Sequence, residues 1–153
     1  MQYMLQNQNE TANPTHCLMA DGVLFATGAA GYTVIELLWR GHTHWSMGIA
    51  GGICFTCFGR IWPKIKSLHK IYVPLLGSTV ITSVELAFGV VFNLILKKGI
   101  WDYSHLPFQL FGQICGLFST LWGLLSIPAV PLAGRLRQRL IDRTSAPHPH
   151  PAE

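Results

Sequence analysis

The stretch YVPLLGSTVITSVELAFGVVFNLIL, Tyr72–Leu96, contains a single charged residue, Glu85. It is apolar along its whole length, with no polar face of the kind that a soluble helix turns to water. About 20 such residues are what a helix needs to cross ~30 Å of hydrocarbon. Inside that layer the backbone must satisfy its own hydrogen bonds, so helix is the expected conformation.

Three further blocks read the same way: about Leu18–Trp39, Trp45–Trp62 and Leu106–Ala133. The whole chain supports the reading, since 50% of its residues are hydrophobic and only 12% are charged, with a mean hydropathy of +0.34. Soluble domains carry about 25% charged residues. The expected fold is therefore all-α, a four-helix transmembrane bundle spanning 18–134. A polar N-terminal segment, 1–17, precedes it, and a basic then Pro/His-rich tail, 135–153, follows. The first 17 residues contain no Lys or Arg, so they lack the basic n-region of a signal peptide.

Four spans put both termini and the middle loop on one side of the membrane. Of the 11 basic residues, 8 fall on that side (Arg60, Lys64, Lys66, Lys70, Arg135, Arg137, Arg139, Arg143) and 3 on the other (Arg40, Lys97, Lys98). Positively charged loops stay in the cytoplasm, so the N- and C-termini are expected there, in a multi-pass protein of the plasma or inner membrane. Asn9-Glu10-Thr11 matches a glycosylation acceptor but would then be inert. The net charge of +4 reads as an orientation signal, and nucleic acid is not an expected partner, because the basic residues flank spans. Trp39, Trp45, Trp62, Tyr72 and Trp101 fall near span ends, where amphipathic rings prefer to sit. The tail's basic part suits anionic headgroups. His148 and His150, each flanked by Pro, make a poor metal site.

Ionisable residues inside a bilayer cost roughly 2.5 kcal/mol or more, so each needs a reason. Glu36 has Arg40 four positions on, on the same helix face. Glu85 has no basic residue within a turn, so it must be neutral or meet a partner from another span. Asn93 lies two turns further out on its face, and Gln113 near the outer end of the fourth span; both suit interhelical hydrogen bonding or a polar site. The outer connections hold the remaining chemistry, Arg40-Gly41-His42-Thr43-His44-Trp45 and Trp101-Asp102-Tyr103-Ser104-His105. His42, His44 and Asp102 are residue types that hold a divalent metal such as zinc, relay protons or simply cap helix ends; His-x-His by itself is a weak metal signal. Cys54-x-x-Cys57 has redox spacing, but in mid-span apolar surroundings keep a thiol inert. Cys17 and Cys115 imply no disulfide framework.

Small residues mark expected close contacts between helices: Gly48-x-x-x-Gly52, Gly112-x-x-x-Gly116, and the series Gly22, Ala26, Ala30. The two halves echo one another. Thr33-x-x-Glu36-Leu37 matches Thr82-x-x-Glu85-Leu86, and each Glu span is followed by a Trp-containing loop and a GxxxG span. That order suggests two helical hairpins in parallel repeat, with both glutamates near a shared centre.

Five motifs in order carry a family resemblance: Glu36-Leu37-Leu38-Trp39-Arg40-Gly41-His42-Thr43-His44-Trp45-Ser46-Met47, Gly51-Gly52-Ile53-Cys54-Phe55, Ile81-Thr82-x-x-Glu85, Trp101-Asp102-Tyr103-Ser104 and Gly112-Gln113-Ile114-Cys115. From about Gly31 to Ser126 the chain resembles the ABC-transporter type IV family of small bacterial membrane proteins. The resemblance implies a transporter or permease component of the bacterial inner membrane. The chain has no GxxxxGK[ST] loop, so it is not expected to be the ATPase subunit itself. Beyond the lipid bilayer, partner transporter subunits or further copies of the chain are the expected partners. A membrane-embedded, metal-dependent enzyme and a non-catalytic assembly or sensor subunit are the alternatives. The candidate ligand- or ion-binding residues are Glu36, Arg40, His42, His44, Glu85, Asn93, Asp102 and Gln113.

Overall fold

The computed structural model describes residues 14–145. Asn9-Glu10-Thr11, His148 and His150 lie outside the described residues. Four long helices follow in order: α1 Pro14–Arg40, α2 Trp45–Ile65, α3 Tyr72–Phe88, continued by a wider π-helical stretch Gly89–Ile95, and α4 Gly116–Ser145. Between α3 and α4 two short strands, β1 Gln109–Leu110 and β2 Ile114–Cys115, pair as an antiparallel hairpin.

Three helices are long and apolar enough to cross a membrane: Pro14–Arg40, Tyr72–Ile95 and Gly116–Thr144. The second, α2, has 21 residues, enough at about 1.5 Å per residue to span hydrocarbon, but it is not one of those three. It has packing interfaces with all three other helices. Ser46, Gly48, Ala50, Gly51, Gly52 and Gly59 are among its buried positions. A helix that faces protein on several sides uses small residues to let neighbouring backbones approach closely.

The fourth block begins later than its composition implies. Leu106–Cys115 is loop and hairpin, and the helix starts at Gly116. Gly112 therefore sits in a turn with φ +69°, not in a helical GxxxG pair. At its other end α4 continues through the basic stretch to Ser145. Pro128 and Pro131 lie inside it. Each removes one helical donor, which membrane helices tolerate where side chains re-satisfy the backbone.

Packing corrects the small-residue series as well. Gly22, Ala26 and Ala30 are exposed, whereas Asp21, Leu24 and Gly28 are buried. α1 and α2 approach closely at Gly28 and Gly51. A Cβ on Gly28 would lie 2.6 Å from Gly51 O, so no larger residue fits without moving a backbone. Gly77 does the same for α3 against Ser126 of α4. The apolar core is Leu24, Cys54, Phe58, Ile65, Val130 and Ala133, drawn from α1, α2 and α4.

Trp39, Trp45 and Tyr72 are exposed near helix ends, as interfacial rings should be, but Trp101 is buried, at 7% exposure. The expected repeat between halves is not supported. Residues 41–44 link α1 to α2, whereas the hairpin and its flanking loops link α3 to α4, and only α3 ends in a π-helical stretch.

Candidate functional site

The four helices and the α3–α4 connection enclose two adjoining chambers. The inner one, about 320 Å³, is lined by residues of all four helices, and among the described residues Glu85 is its one carboxylate. The outer one, about 670 Å³, is lined in part by Glu36, Arg40, Trp101, Asp102 and His105. Tyr32, Met47 and Trp122 line both. Each lies within the ~300–1,000 Å³ typical of small-molecule sites.

Glu36 is buried near the end of α1. Arg40 Nη1 donates to its Oε1 at 2.9 Å, and the Thr43 hydroxyl donates to Oε2. Arg40 Nη2 reaches across to Ile100 O at 2.8 Å, tying the first connection to the second. Glu85, 5% exposed, receives the Tyr103 hydroxyl on Oε1 at 2.9 Å and the Trp122 indole N–H on Oε2 at 3.0 Å. Burial, with the Glu85 carboxylate adding to it, raises the Tyr103 phenol far above its ordinary value, so Tyr103 remains a donor. Glu36 and Glu85 are thus both buried, but they share no partner.

Asn93 and Gln113 form a brace. Asn93 Nδ2 donates to Gln113 Oε1 at 2.8 Å and to Trp101 O at 3.0 Å, and Ile100 N donates to Asn93 Oδ1 at 2.7 Å. Trp101 Nε1 donates to Gln113 O at 3.0 Å, which explains why that ring is buried. Gln113 lies in the hairpin, not in a helix, and seats against Gly89 at the start of the π-helical stretch. The wider turn at Gly89 belongs with this contact, since local π geometry re-aims a helix's neighbours.

The remaining candidates separate. Asp102 is exposed and accepts from the Ser104 amide at 2.8 Å and from its hydroxyl at 3.0 Å. Those bonds hold its carboxyl below the usual carboxylate range. His44 caps α2, its Nδ1 accepting from Ser46 N at 3.3 Å, and its ring packs on Trp45 and Phe92. His42 is exposed. Among the described residues no three His, Cys, Asp or Glu side chains are grouped as a metal needs, so His42, His44 and Asp102 are not brought together as a metal set. Cys54 and Cys57 are free thiols.

One buried acid escapes the sequence reading. Asp21 of α1 accepts Arg60 Nη2 at 2.6 Å and Arg60 Nε at 3.0 Å on Oδ2, and Arg137 Nε at 3.0 Å on Oδ1. It joins α1, α2 and α4 at the end of the bundle away from Glu36. An acid within the first apolar block, with arginines at the same end of two others, is the signal that could have found it. Tyr103 and Trp122 carried no such signal, since aromatic residues are ordinary at these positions.

The fold and this buried polar chemistry define a helical membrane protein with the carboxylates of Asp21, Glu36 and Glu85 held inside the bundle. The chain belongs to the family described as "Putative ABC-transporter type IV", whose model matches residues 23–148. It is accordingly a transporter-related membrane protein. In comparisons with curated proteins and with solved structures, nothing matches the chain.

Proposed function

We propose that the protein is the membrane component of a transporter, with all four helices crossing the bilayer and both termini cytoplasmic. Residues 18–134 form the membrane domain, 1–17 a polar cytoplasmic segment and 135–153 a cytoplasmic tail whose basic part suits anionic headgroups. The observation that carries the reading is the pair of adjoining chambers, one holding the Glu36–Arg40 pair and the other ending on Glu85. A buried carboxylate beside a chamber is the arrangement by which membrane proteins take up protons, cations or polar solutes. The opposite end is tied shut by Asp21, Arg60 and Arg137, so a solute would enter from the extracytoplasmic side. Energy from ATP would have to come from a partner subunit, and further copies of the chain are a second way to complete a pathway.

Proton and solute flux into proteoliposomes carrying the purified chain, wild type against Glu85→Gln, tests this. Flux lost in the variant, with helical content unchanged, is expected. Equal flux in both would rule out Glu85 as a transport site. Loss of stability alone would favour an assembly subunit.

A further inference from the structure

Three acidic residues are buried in the described bundle, and they differ in one respect. Asp21 has Arg60 and Arg137, and Glu36 has Arg40. Glu85 has no basic group within 4.0 Å among the described residues; its two partners, Tyr103 and Trp122, are neutral donors. Such donors stabilise an anion without cancelling its charge, so the inner chamber keeps a carboxylate with no resident counterion.

The inner chamber's other walls are mostly apolar, and in the outer one aromatic rings stand beside Glu36, Arg40, Asp102 and His105. Tyr32, Trp39, Trp101, Tyr103, Phe118 and Trp122 line the outer chamber, and Tyr32 and Trp122 continue into the inner one. Ring faces attract cations, most strongly where water is excluded. Among the described residues the one guanidinium lining the outer chamber, that of Arg40, is already engaged by Glu36 and Ile100 O. The chambers lie between α1 and α4, and their edges there, Thr27, Gly31, Ile35, Pro128 and Leu132, are exposed on the faces that lipid would cover. The opening is therefore lateral as well as outward.

We propose that this groove binds an amphipathic organic cation: an ammonium group between Glu85 and the aromatic rings, and an apolar tail along α1 and α4. The inference rests on the reading of the chambers as a ligand path and names the class of ligand. An anionic head would meet an uncancelled carboxylate, and a neutral polar head would leave it uncompensated. An inorganic cation alone would leave the apolar walls unused.

The test uses the full chain in nanodiscs of zwitterionic lipid, with empty nanodiscs as the control for partitioning. Dodecyltrimethylammonium, dodecyl sulfate and dodecyl maltoside share one tail and differ in head group. Saturable change in tryptophan fluorescence reads binding. The trimethylammonium compound should half-saturate at about tenfold lower concentration than the other two, the equivalent of about 1.4 kcal/mol. Glu85→Gln should abolish that preference. Leu125→Trp, which narrows the groove and leaves Glu85 in place, should weaken binding on its own, so the proposal stays testable if Glu85→Gln fails to fold. Equal half-saturation for all three head groups, or binding unchanged by Leu125→Trp, overturns it. Flux separates this proposal from the transport reading. A head-group preference without any flux keeps the binding site and removes the transporter, and flux that depends on Glu85 without a preference does the reverse.

Discussion

Trp122 of α4 donates its indole N–H to Glu85 Oε2 of α3 at 3.0 Å, while the other carboxylate oxygen takes the Tyr103 hydroxyl. One acid thus joins two helices and the α3–α4 connection. Trp122→Phe leaves Oε2 without its donor and should lower stability by about 1–3 kcal/mol, the usual cost of an unsatisfied buried group. Tyr103→Phe should cost a similar amount. Because both act on one carboxylate, the double variant should depart from additivity by about 0.5 kcal/mol or more. Thermal unfolding in a fixed lipid mixture measures this, and strictly additive losses would contradict a shared role.

Asn93 holds three groups of the outer connection at once: Trp101 O, Gln113 Oε1 and Ile100 N. Asn93→Ala should loosen residues 100–113 before it disturbs the helices. Hydrogen exchange should rise across that segment and stay unchanged in the middle of α1 and α2. Uniform change over the whole chain would show that the brace is not local.

The two arginines on Asp21 should not be equivalent. The Arg60 side chain is 61% exposed and that of Arg137 is 18% exposed. Exposed pairs contribute about 0–1 kcal/mol, whereas breaking a buried one costs about 3 kcal/mol or more. Arg137→Ala should therefore lower the melting temperature clearly more than Arg60→Ala, and Asp21→Ala at least as much as Arg137→Ala. The reverse order would place the buried partner wrongly.

Gly28 and Gly22 give a paired test of the α1–α2 contact. Gly28→Ala puts a methyl group against Gly51 O and should cost about 1–3 kcal/mol from overpacking. A methyl group on Gly22 would meet nothing within 4 Å among the described residues, so Gly22→Ala should be neutral or gain up to about 1 kcal/mol from helix propensity. Chemical or thermal unfolding of the two variants decides, and equal effects would mean that the interface lies elsewhere.

The Asp102–Ser104 turn should be acid-sensitive. The Asp102 carboxyl lies below its ordinary value in the folded protein because Ser104 donates to it. A depressed carboxylate contributes stability above its unfolded pKa and loses that contribution as pH falls through the folded value. The local turn should thus persist at neutral pH and open only below the usual carboxylate range. Chemical shifts of the Ser104 amide across an acid titration test it; a transition near neutral pH would contradict it.

The positions of α1, α3 and most of α4 were legible because a lipid-spanning helix is written as an uninterrupted apolar block. The Glu36–Arg40 pair was legible for a related reason, since i,i+4 spacing fixes two side chains on one face. The start of α4 was not. Leu106–Cys115 is as apolar as a helix, and composition alone does not report that Phe108, Phe111 and Gly112 take positive φ. The packed face of α1 was not legible, because spacing gives a helix face but not its direction. Gly22, Ala26 and Ala30 form one face, and Asp21, Leu24 and Gly28 form the packed one.

By itself the sequence determined the helical class, the membrane setting and the buried position of Glu36 and Glu85. Those follow from hydropathy, which is a property of each residue and its near neighbours. Only the tertiary structure decided the partners of the buried groups: Trp122 and Tyr103 for Glu85, Arg60 and Arg137 for Asp21, Gln113 for Asn93. Each of those bonds joins residues from different elements. No local pattern encodes them, because which residues meet depends on how the helices rotate and cross, and packing at contacts such as Gly28–Gly51 fixes that rotation.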